Sequence, residues 1–440
     1  MSMGGGTFAT QNKILPGAYI NFVSAGNTVS AGTRGIAALP LELNWGPENK
    51  VFSMYAEDLN KTALSVLGYD PTDPALLLVR ESLKRARTVL IYRINSGGEK
   101  ASATVGGIAV TALYGGTRGN DIKVAVQKNI DDEDKFDVIT YLGAAQLDKQ
   151  TVASASELTE NDFVSFGTGN LSVAAAAALQ GGTNGQANGE SYSKYLELIE
   201  VEEFNAIGYP GTDQTTKNMF TAFTKRLRED NGKKCTCVLY SCAADYEGII
   251  NVKNGVVLEN GTVISGDKAV AWVTGASAGA QINESLTNTV YDGAVDVDKK
   301  YSKSQYEDAI KAGEFVFYGE NGTARVLSDI NSLTTFDESK PQDFTSNRVL
   351  RVIDGWANDV ARIFGTAYLG TATNSDTGRQ LFKADLVSLA GQYQSIGAIS
   401  NFVPEDIEVQ QGTGKRDVSV NMQIQPNDSM EKLYMIVTVV

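Results

Sequence analysis

The run Leu433-Tyr434-Met435-Ile436-Val437-Thr438-Val439-Val440 forms a strand more readily than anything else, and it carries no charged side chain, Gly or Pro. Val437, Val439 and Val440 are β-branched and Tyr434 is aromatic, all of which suit extended backbone. Alternation sets Leu433, Met435, Val437 and Val439 on one face and Tyr434, Ile436 and Val440 on the other, so both faces are largely apolar. Fully burying the first four stabilises by about 6–12 kcal/mol, at roughly 1.5–3 each. That matches the net stability of a whole domain, so the strand calls for cover on two sides. Upstream, Val418, Val420, Met422 and Ile424 alternate with Ser419, Asn421 and Gln423, the pattern of a half-buried strand. Pro426-Asn427-Asp428 predicts a turn between the two. Two readings stand side by side: a hairpin finishing the protein's own sheet, or a strand donated to the sheet of another copy.

The 440 residues are enough for about three or four domains with substantial cores. A net charge of −14, with no Lys/Arg-rich stripe, makes a nucleic-acid backbone a poor direct partner. The short run Lys84-Arg85-Ala86-Arg87 reads as a helix C-terminus facing its own dipole. Residues 1–13 offer no cationic start followed by an apolar core, so no secretory leader is expected. No apolar run reaches the roughly 18 residues of a membrane span. Histidine is absent, which excludes Ser-His-Asp and Cys-His catalysis and every histidine-ligated metal site.

Residues 1–35 read as an N-terminal arm holding one strand, Ala18, Tyr19, Ile20, Asn21, Phe22 and Val23, with Gly26 as a hinge behind it. Residues 36–95 read as a small α/β unit: a strand over 36–43, helices over 56–67 and 74–87, and a strand over 88–93. Residues 96–185 are a glycine-fenced β-rich block, the texture of a domain inserted into a larger one. Its acidic run Asp131-Asp132-Glu133-Asp134 reads as a hairpin tip, and the alanine-rich 171–179 fits helix or strand. Residues 186–345 alternate helix and strand, which predicts a mostly parallel sheet covered by helices. Residues 346–440 hold two helices, with Val349, Ile353, Val360 and Ile363 on a face of the first and Leu381, Leu386 and Leu389 on the second. The two strands follow, and Gly412 and Gly414 read as a hinge before them. The fold class is α/β and multidomain: a central, mostly parallel α/β core, an inserted β-rich domain and strand-bearing arms.

Nothing here makes a convincing catalytic, cofactor or metal site. Cys235, Cys237 and Cys242 form the only soft-ligand cluster, but Cys-x-x-Cys pairs are lacking and a packed strand accounts for them. The glycine-rich stretches 115–120 and 181–185 lack the Gly-Lys-Ser/Thr of a nucleotide loop and read as turns or linkers. Tyr209-Pro210-Gly211-Thr212-Asp213 sits where α/β sheets bind ligands, at a strand's carboxyl end, although Thr212 or Asp213 serves equally as a helix N-cap. A soluble ligand-binding protein or hydrolase built on 190–345 is therefore the competing class.

The order of short motifs resembles the tail sheath proteins of contractile phage tails, of the kind found in phages, prophages and phage-tail-like bacteriocins of Gram-positive bacteria. The motifs are Pro16-Gly17-Ala18-Tyr19, Trp45-Gly46-Pro47, Val89-Leu90-Ile91-Tyr92-Arg93-Ile94, residues 114–121 (Tyr-Gly-Gly-Thr-Arg-Gly-Asn-Asp), 179–185 (Leu-Gln-Gly-Gly-Thr-Asn-Gly) and 348–357. The resemblance implies a structural, non-enzymatic protein without cofactors. It implies homo-oligomeric rings of six stacked helically around a tail tube, with baseplate and tail terminator proteins as further partners. Such particles assemble in the bacterial cytoplasm and work as virion tails or extracellular particles. In this family terminal arms add strands to a neighbour's C-terminal sheet. That role falls to Ala18 through Val23 and to Leu433, Tyr434, Met435, Ile436, Val437, Thr438 and Val439. Residues 412–416 would span about 16 Å at roughly 3.3 Å each, slack for a body that moves while its strand stays paired.

Overall fold

The computed structural model describes the chain at residues 5–6, 18–19, 32 and 34–439. Contacts group the chain into two compact units: Gly32–Asp359 with Gly397–Ser400 and Gln425–Val440, and Met1–Ala31 with Val360–Ile396 and Asn401–Ile424.

The larger unit starts with β1 (Ile36–Leu41), β2 (Val51–Tyr55), α1 (Leu59–Leu67), α2 (Leu77–Leu83) and β3 (Thr88–Arg93). Gly68 ends α1 at φ 75° and returns its N–H to the Leu64 carbonyl, as glycine after a helix allows. The helix expected over 74–87 is shorter. A 3-10 turn at Pro74–Leu76, capped by Asp73, leads into α2, which ends at Leu83. The cationic run starts at Lys84, the C-cap of α2, and its first two charges meet carboxylates. Arg85 forks onto Asp292 at 2.6 and 3.0 Å, and Lys84 reaches Glu81 at 2.7 Å.

Seven strands then form two antiparallel sheets. They are β4 (Lys100–Val105), β5 (Ile108–Gly115), β6 (Ile122–Lys128), β7 (Phe136–Leu142), β8 (Ala145–Val152), β9 (Val164–Gly169) and β10 (Ala174–Ala178). Their orders are β8-β7-β6-β10 and β9-β5-β4. Val110, Val124, Val126, Val138 and Val164 fill the core they share. The alanine run is strand, paired along β6.

The chain continues through α3 (Gly189–Glu200), β11 (Ala206–Tyr209), α4 (Gln214–Glu229), β12 (Thr236–Tyr240) and β13 (Ile249–Val252). Next come β14 (Val256–Leu258), β15 (Val263–Ile264), α5 (Gly266–Gly279), β16 (Ala294–Val297), α6 (Lys303–Lys311) and β17 (Glu314–Phe315). A hairpin, β18 (Phe317–Glu320) and β19 (Thr323–Val326), turns on Asn321-Gly322, both at positive φ as a tight hairpin turn requires. The main sheet runs β17-β13-β12-β11-β1-β3-β2 and is parallel except for β2 at its edge. The segment expected as a small unit of its own, 36–95, therefore gives three strands to the same sheet as the central domain.

Helices cover both faces, as a buried parallel sheet demands. Tyr195, Ile199, Phe220, Phe223 and Leu227 of α3 and α4 pack on one. α5 lies on the other, where Trp272 and Val273 meet Val238, Ile250 and Val252. Its small residues permit close approach. A Cβ on Gly275 would stand 2.1 Å from the Ser82 carbonyl oxygen of α2.

α7 (Asn347–Ile363) continues into a π-helical turn, Phe364–Tyr368, and α8 (Asp376–Ser395) follows. Leu381, expected in the core stripe of α8, is 60% exposed, and Phe382 is buried in its place. The helix begins after its Ser375 cap, and 382, 386, 389 and 393 form the stripe that 3.6-residue periodicity selects from there. Four short strands complete the chain: β20 (Ile399–Ser400), β21 (Ile407–Gln411), β22 (Val418–Met422) and β23 (Gln425–Pro426). β21 pairs with β22 and β20 with β23, both antiparallel.

Candidate subunit-contact elements

The expected turn at 426–428 does not fold the last strand back onto the chain's own sheet. β23 pairs with β20, and Asn427 extends that contact by donating to the Ala398 and Gly397 carbonyls. Asp428 then accepts from Ser346 Oγ at 3.1 Å. Glu431 accepts from Thr287 Oγ1 at 2.7 Å and Ser429 Oγ at 3.2 Å. Beyond Lys432 these contacts stop. Among the described residues, 433–439 pair with no strand. Leu433, Tyr434, Met435, Ile436, Val437 and Val439 are 69–96% exposed.

Among the described residues, the smaller unit has strand edges without partners. β21 and β22 make a sheet of two. Directly opposed residues share a face, so Ile407, Val409, Val420 and Met422 lie together. Ile407 and Val409 are buried, whereas Val420 is 37% exposed. Cover thus reaches β21 and thins out at β22, where a half-buried strand was expected. Gly412 and Gly414, expected as a hinge, are in the turn joining these strands. The Gly412 N–H donates to the Asp417 carbonyl and the Gly414 N–H to the Asp417 carboxylate, both at 2.8 Å. This turn joins two paired strands of one unit, so it does not separate bodies. On the N-terminal side, Ala18 and Tyr19 pair in parallel with Gly5 and Gly6. Ile20, Asn21, Phe22, Val23 and Gly26 lie outside the described residues.

Four of the six short sequence motifs, those at 45–47, 89–94, 114–121 and 179–185, converge where the β-rich block joins the main sheet. Arg93, at the end of β3, is fully buried and donates to the carbonyls of Leu43 at 2.9 Å and Gly115 at 2.7 Å, and to Glu48 at 3.2 Å. Burial pulls its pKa down, and Glu48 opposes that. Trp45, also fully buried, meets Tyr114 edge-on at 5.3 Å and stacks on Phe163 at 6.1 Å. Arg118 donates to the Gly68 carbonyl at 2.7 Å and lies over the Tyr69 ring. The segments leading into and out of the block run together: Thr183 N–H donates to Glu99 O and Gly185 N–H to Asn95 O, both at 3.1 Å. Of the two glycine-rich stretches, 115–120 leads into a 3-10 turn at Thr117–Asp121, and 181–185 is a linker running beside 95–99. Sequence reasoning grouped these motifs by their order alone. The buried arginine closing an apolar strand was the available sign that they meet.

The remaining candidates resolve into structure as well. Asp213 caps α4, accepting from the Thr216 N–H at 2.7 Å, and this bond leads in holding its pKa below the usual range. Tyr209 is packed between Tyr192 and Phe220. The three cysteines are free and buried, and burial pushes the Cys235 thiol up to about 12. Among the described residues no cluster of His, Cys, Asp or Glu is arranged to hold a metal, and no helix is long and apolar enough to cross a membrane.

The described residues thus form an α/β sheet covered by helices, a pair of packed antiparallel sheets, a separate two-stranded sheet and an exposed C-terminal run that pairs with no strand. Family models of tail sheath proteins match four adjoining stretches of the chain. They are the Gp18 domain III N-terminal region at residues 34–94, the beta-sandwich domain at 96–184, the central domain at 185–332 and the C-terminal domain at 339–440. The sheath tail protein of Desulfitobacterium hafniense is 46% identical, covers 95% of this chain and 99% of its own, and superposes with a TM-score of 0.85. The phage-like element PBSX protein XkdK of Bacillus subtilis is 38% identical over 98% of this chain and 99% of the relative. The helical sheath of the anti-feeding prophage in its contracted state shares the fold at 13% identity, with a TM-score of 0.58 over 97% of this chain and 99% of that one. The chain belongs to the phage tail sheath protein family.

Proposed function

We propose that the protein is the repeating subunit of a contractile sheath, stacked as hexameric rings around a tail tube and linked to its neighbours by exchanged strands. One observation carries this reading: an uncharged apolar arm, 433–439, that is extended, unpaired and 69–96% exposed in the single chain. The matching acceptor is the β21–β22 sheet, since a hairpin of two strands is marginal by itself and gains from a further strand. Ala18 through Val23 would serve as the second donated strand. Heterologous contacts that do not close produce helical stacks, as a sheath requires.

The magnitudes suit a mesh. Burial of four arm residues is worth about 6–12 kcal/mol, against roughly 4–15 for fixing one body on another. One arm gives a marginal contact, whereas two arms per subunit repeated through a lattice give a durable one. The arm pivots at Lys432, where the bonds of Asn427, Asp428 and Glu431 end, rather than at Gly412 and Gly414. Bodies can then rotate and move outward on contraction while strands stay paired, driving the tube through the target envelope. Tube, baseplate and tail terminator proteins are the further partners, the particle being assembled in the bacterial cytoplasm and released as a virion tail or a headless particle.

Negative-stain microscopy of the purified chain tests the reading. Tubes or stacked rings that disappear on deletion of 433–440 are the expected result. A monodisperse particle with or without those residues would overturn it.

A further inference from the structure

Within the smaller unit, the π-helical turn, the start of α8 and the turn that joins β21 to β22 enclose a cavity of about 360 Å³. Its wall begins with a backbone irregularity. The Leu369 N–H donates to the Phe364 carbonyl at 2.9 Å, five residues back, which closes the π turn Phe364–Tyr368. Such turns interrupt the regular bonding of a helix and recur at functional sites. Here Phe364 and Tyr368 both line the cavity and meet Phe382 of α8, with ring centroids at 5.6 and 4.8 Å. The Tyr368 hydroxyl donates to Asp385, which fixes its ring. Leu369 and Val418 extend this apolar surface, and the cavity is of a size that takes a small molecule.

The rest of the lining is cationic. Arg379, Lys415 and Arg416 contribute to it, and among the described residues no Asp or Glu does. Three cations around one cavity run against a net charge of −14 for the chain. The neighbouring carboxylates are engaged elsewhere: Asp376 with Arg379, Asp385 with the Tyr368 hydroxyl, and Asp417 with the Gly414 N–H at 2.8 Å. Arg379 also donates to Asn374 Oδ1 at 2.8 Å, so its guanidinium is held in place. Lys415 and Arg416 are exposed, and among the described residues neither has a carboxylate partner.

We propose that this cavity binds a small organic anion, its apolar body against Phe364, Tyr368 and Phe382 and its carboxylate at Lys415 and Arg416. Both halves of the ligand are needed. A neutral apolar guest would leave the two cations without a partner, and an inorganic anion would make no use of the aromatic cluster. A guanidinium suits a carboxylate because its planar fork offers paired donors. Binding also has a structural consequence. Asn374 ties the β21–β22 turn to the start of α8 by donating to the Lys415 and Asp417 carbonyls at 3.1 and 2.9 Å. A ligand held between the aromatic cluster and the same turn adds a second tie, so it should stabilise the smaller unit. Every group involved belongs to one chain, so the site does not depend on strand exchange.

Fluorescence titration of the full-length chain with anilinonaphthalene sulfonate tests the site, the sulfonate standing in for the carboxylate. Phenylnaphthylamine, which has the rings without the charge, is the comparison. Saturable binding of the sulfonate is expected, with the neutral probe weaker. Lys415→Glu combined with Arg416→Glu should weaken the sulfonate about tenfold, the scale of two exposed charge contacts, and leave the neutral probe unchanged. Ala372→Trp, at an exposed position of the lining, should block both probes. Should Ala372→Trp lower the melting temperature, the charge reversal decides, because Lys415 and Arg416 lie in an exposed turn. Displacement by naphthoate assigns the ligand's body to an aromatic ring, and displacement by decanoate assigns it to an acyl chain. Displacement by neither overturns the proposal. So does the absence of saturable binding, or sulfonate binding that survives the charge reversal. Binding that disappears when 433–440 is deleted overturns it as well, by placing the probe on the exposed C-terminal run. None of these failures touches the sheath reading, which is tested by tube formation.

Discussion

Arg228 and Asp354 show how much one residue pair decides. Both are nearly fully buried, on α4 and α7, and the guanidinium also donates to the Cys235 carbonyl at 2.8 Å. Burial alone would lower the Arg228 pKa, but Asp354 outweighs it and raises it. Removing one partner strands a buried charge, so Arg228→Ala or Asp354→Ala should cost about 3–5 kcal/mol in urea unfolding. Replacing both with apolar residues should cost much less. The cysteines lead to a different test. With Cys235 pushed up to about 12 and all three thiols buried, alkylating reagents should leave the native chain unlabelled and label it fully once unfolded. Asp137, on β7, gives a pH dependence. Burial pushes its pKa up, but Lys149, Asn129 and Thr151 prevail and hold it at about 2. The folded value is depressed, so its stabilisation is full above an unfolded pKa of about 3.9 and fades as pH falls towards the folded one. Circular dichroism should show acid sensitivity in that window, flattened in Asp137→Asn.

At the scale of elements, α5 is the clearest case of packing overriding pattern. It is buried nearly all round, so it shows no polar stripe, and only its small residues hinted at its neighbours. Gly275 faces the Ser82 carbonyl of α2 with no room for a methyl group. Gly275→Ala, neutral or stabilising in an exposed helix, should cost about 1–3 kcal/mol here by thermal unfolding. The strands show the converse. β3 was legible because it is an uninterrupted apolar run with one arginine at its end, whereas β4, β8 and the alanine strand β10 mix polar and small residues and take their form from the strands beside them. Helix α8 was legible as a helix but not in its phase. Ser375 sets where the first turn begins, and a shift of one residue moves Phe382 inward and Leu381 out.

At the scale of the whole molecule, the exposed run 433–439 is set apart from the packed body. Deleting 433–440 should leave the melting temperature of the isolated chain within about 1 °C, because surface residues without partners contribute little. The same deletion should remove assembly. The extended sheath is expected to be metastable, with work drawn from better body-to-body packing after rotation. Cryo-EM of both states should show larger or more complementary interfaces between bodies after contraction. Interfaces no better than before would place the driving force elsewhere.

The sequence by itself determined what local chemistry determines: the apolar period of helices and strands, the caps and turns, the absence of histidine chemistry, and a C-terminal run with two largely apolar faces. The order of its motifs also carried the family resemblance. Tertiary structure alone decided that 36–95 shares one sheet with 206–315, that Arg93 and Trp45 join the β-sandwich to it, and that Gly412 and Gly414 close a turn. Each of these depends on residues far apart along the chain meeting in space, and no local period records which strand will lie beside which.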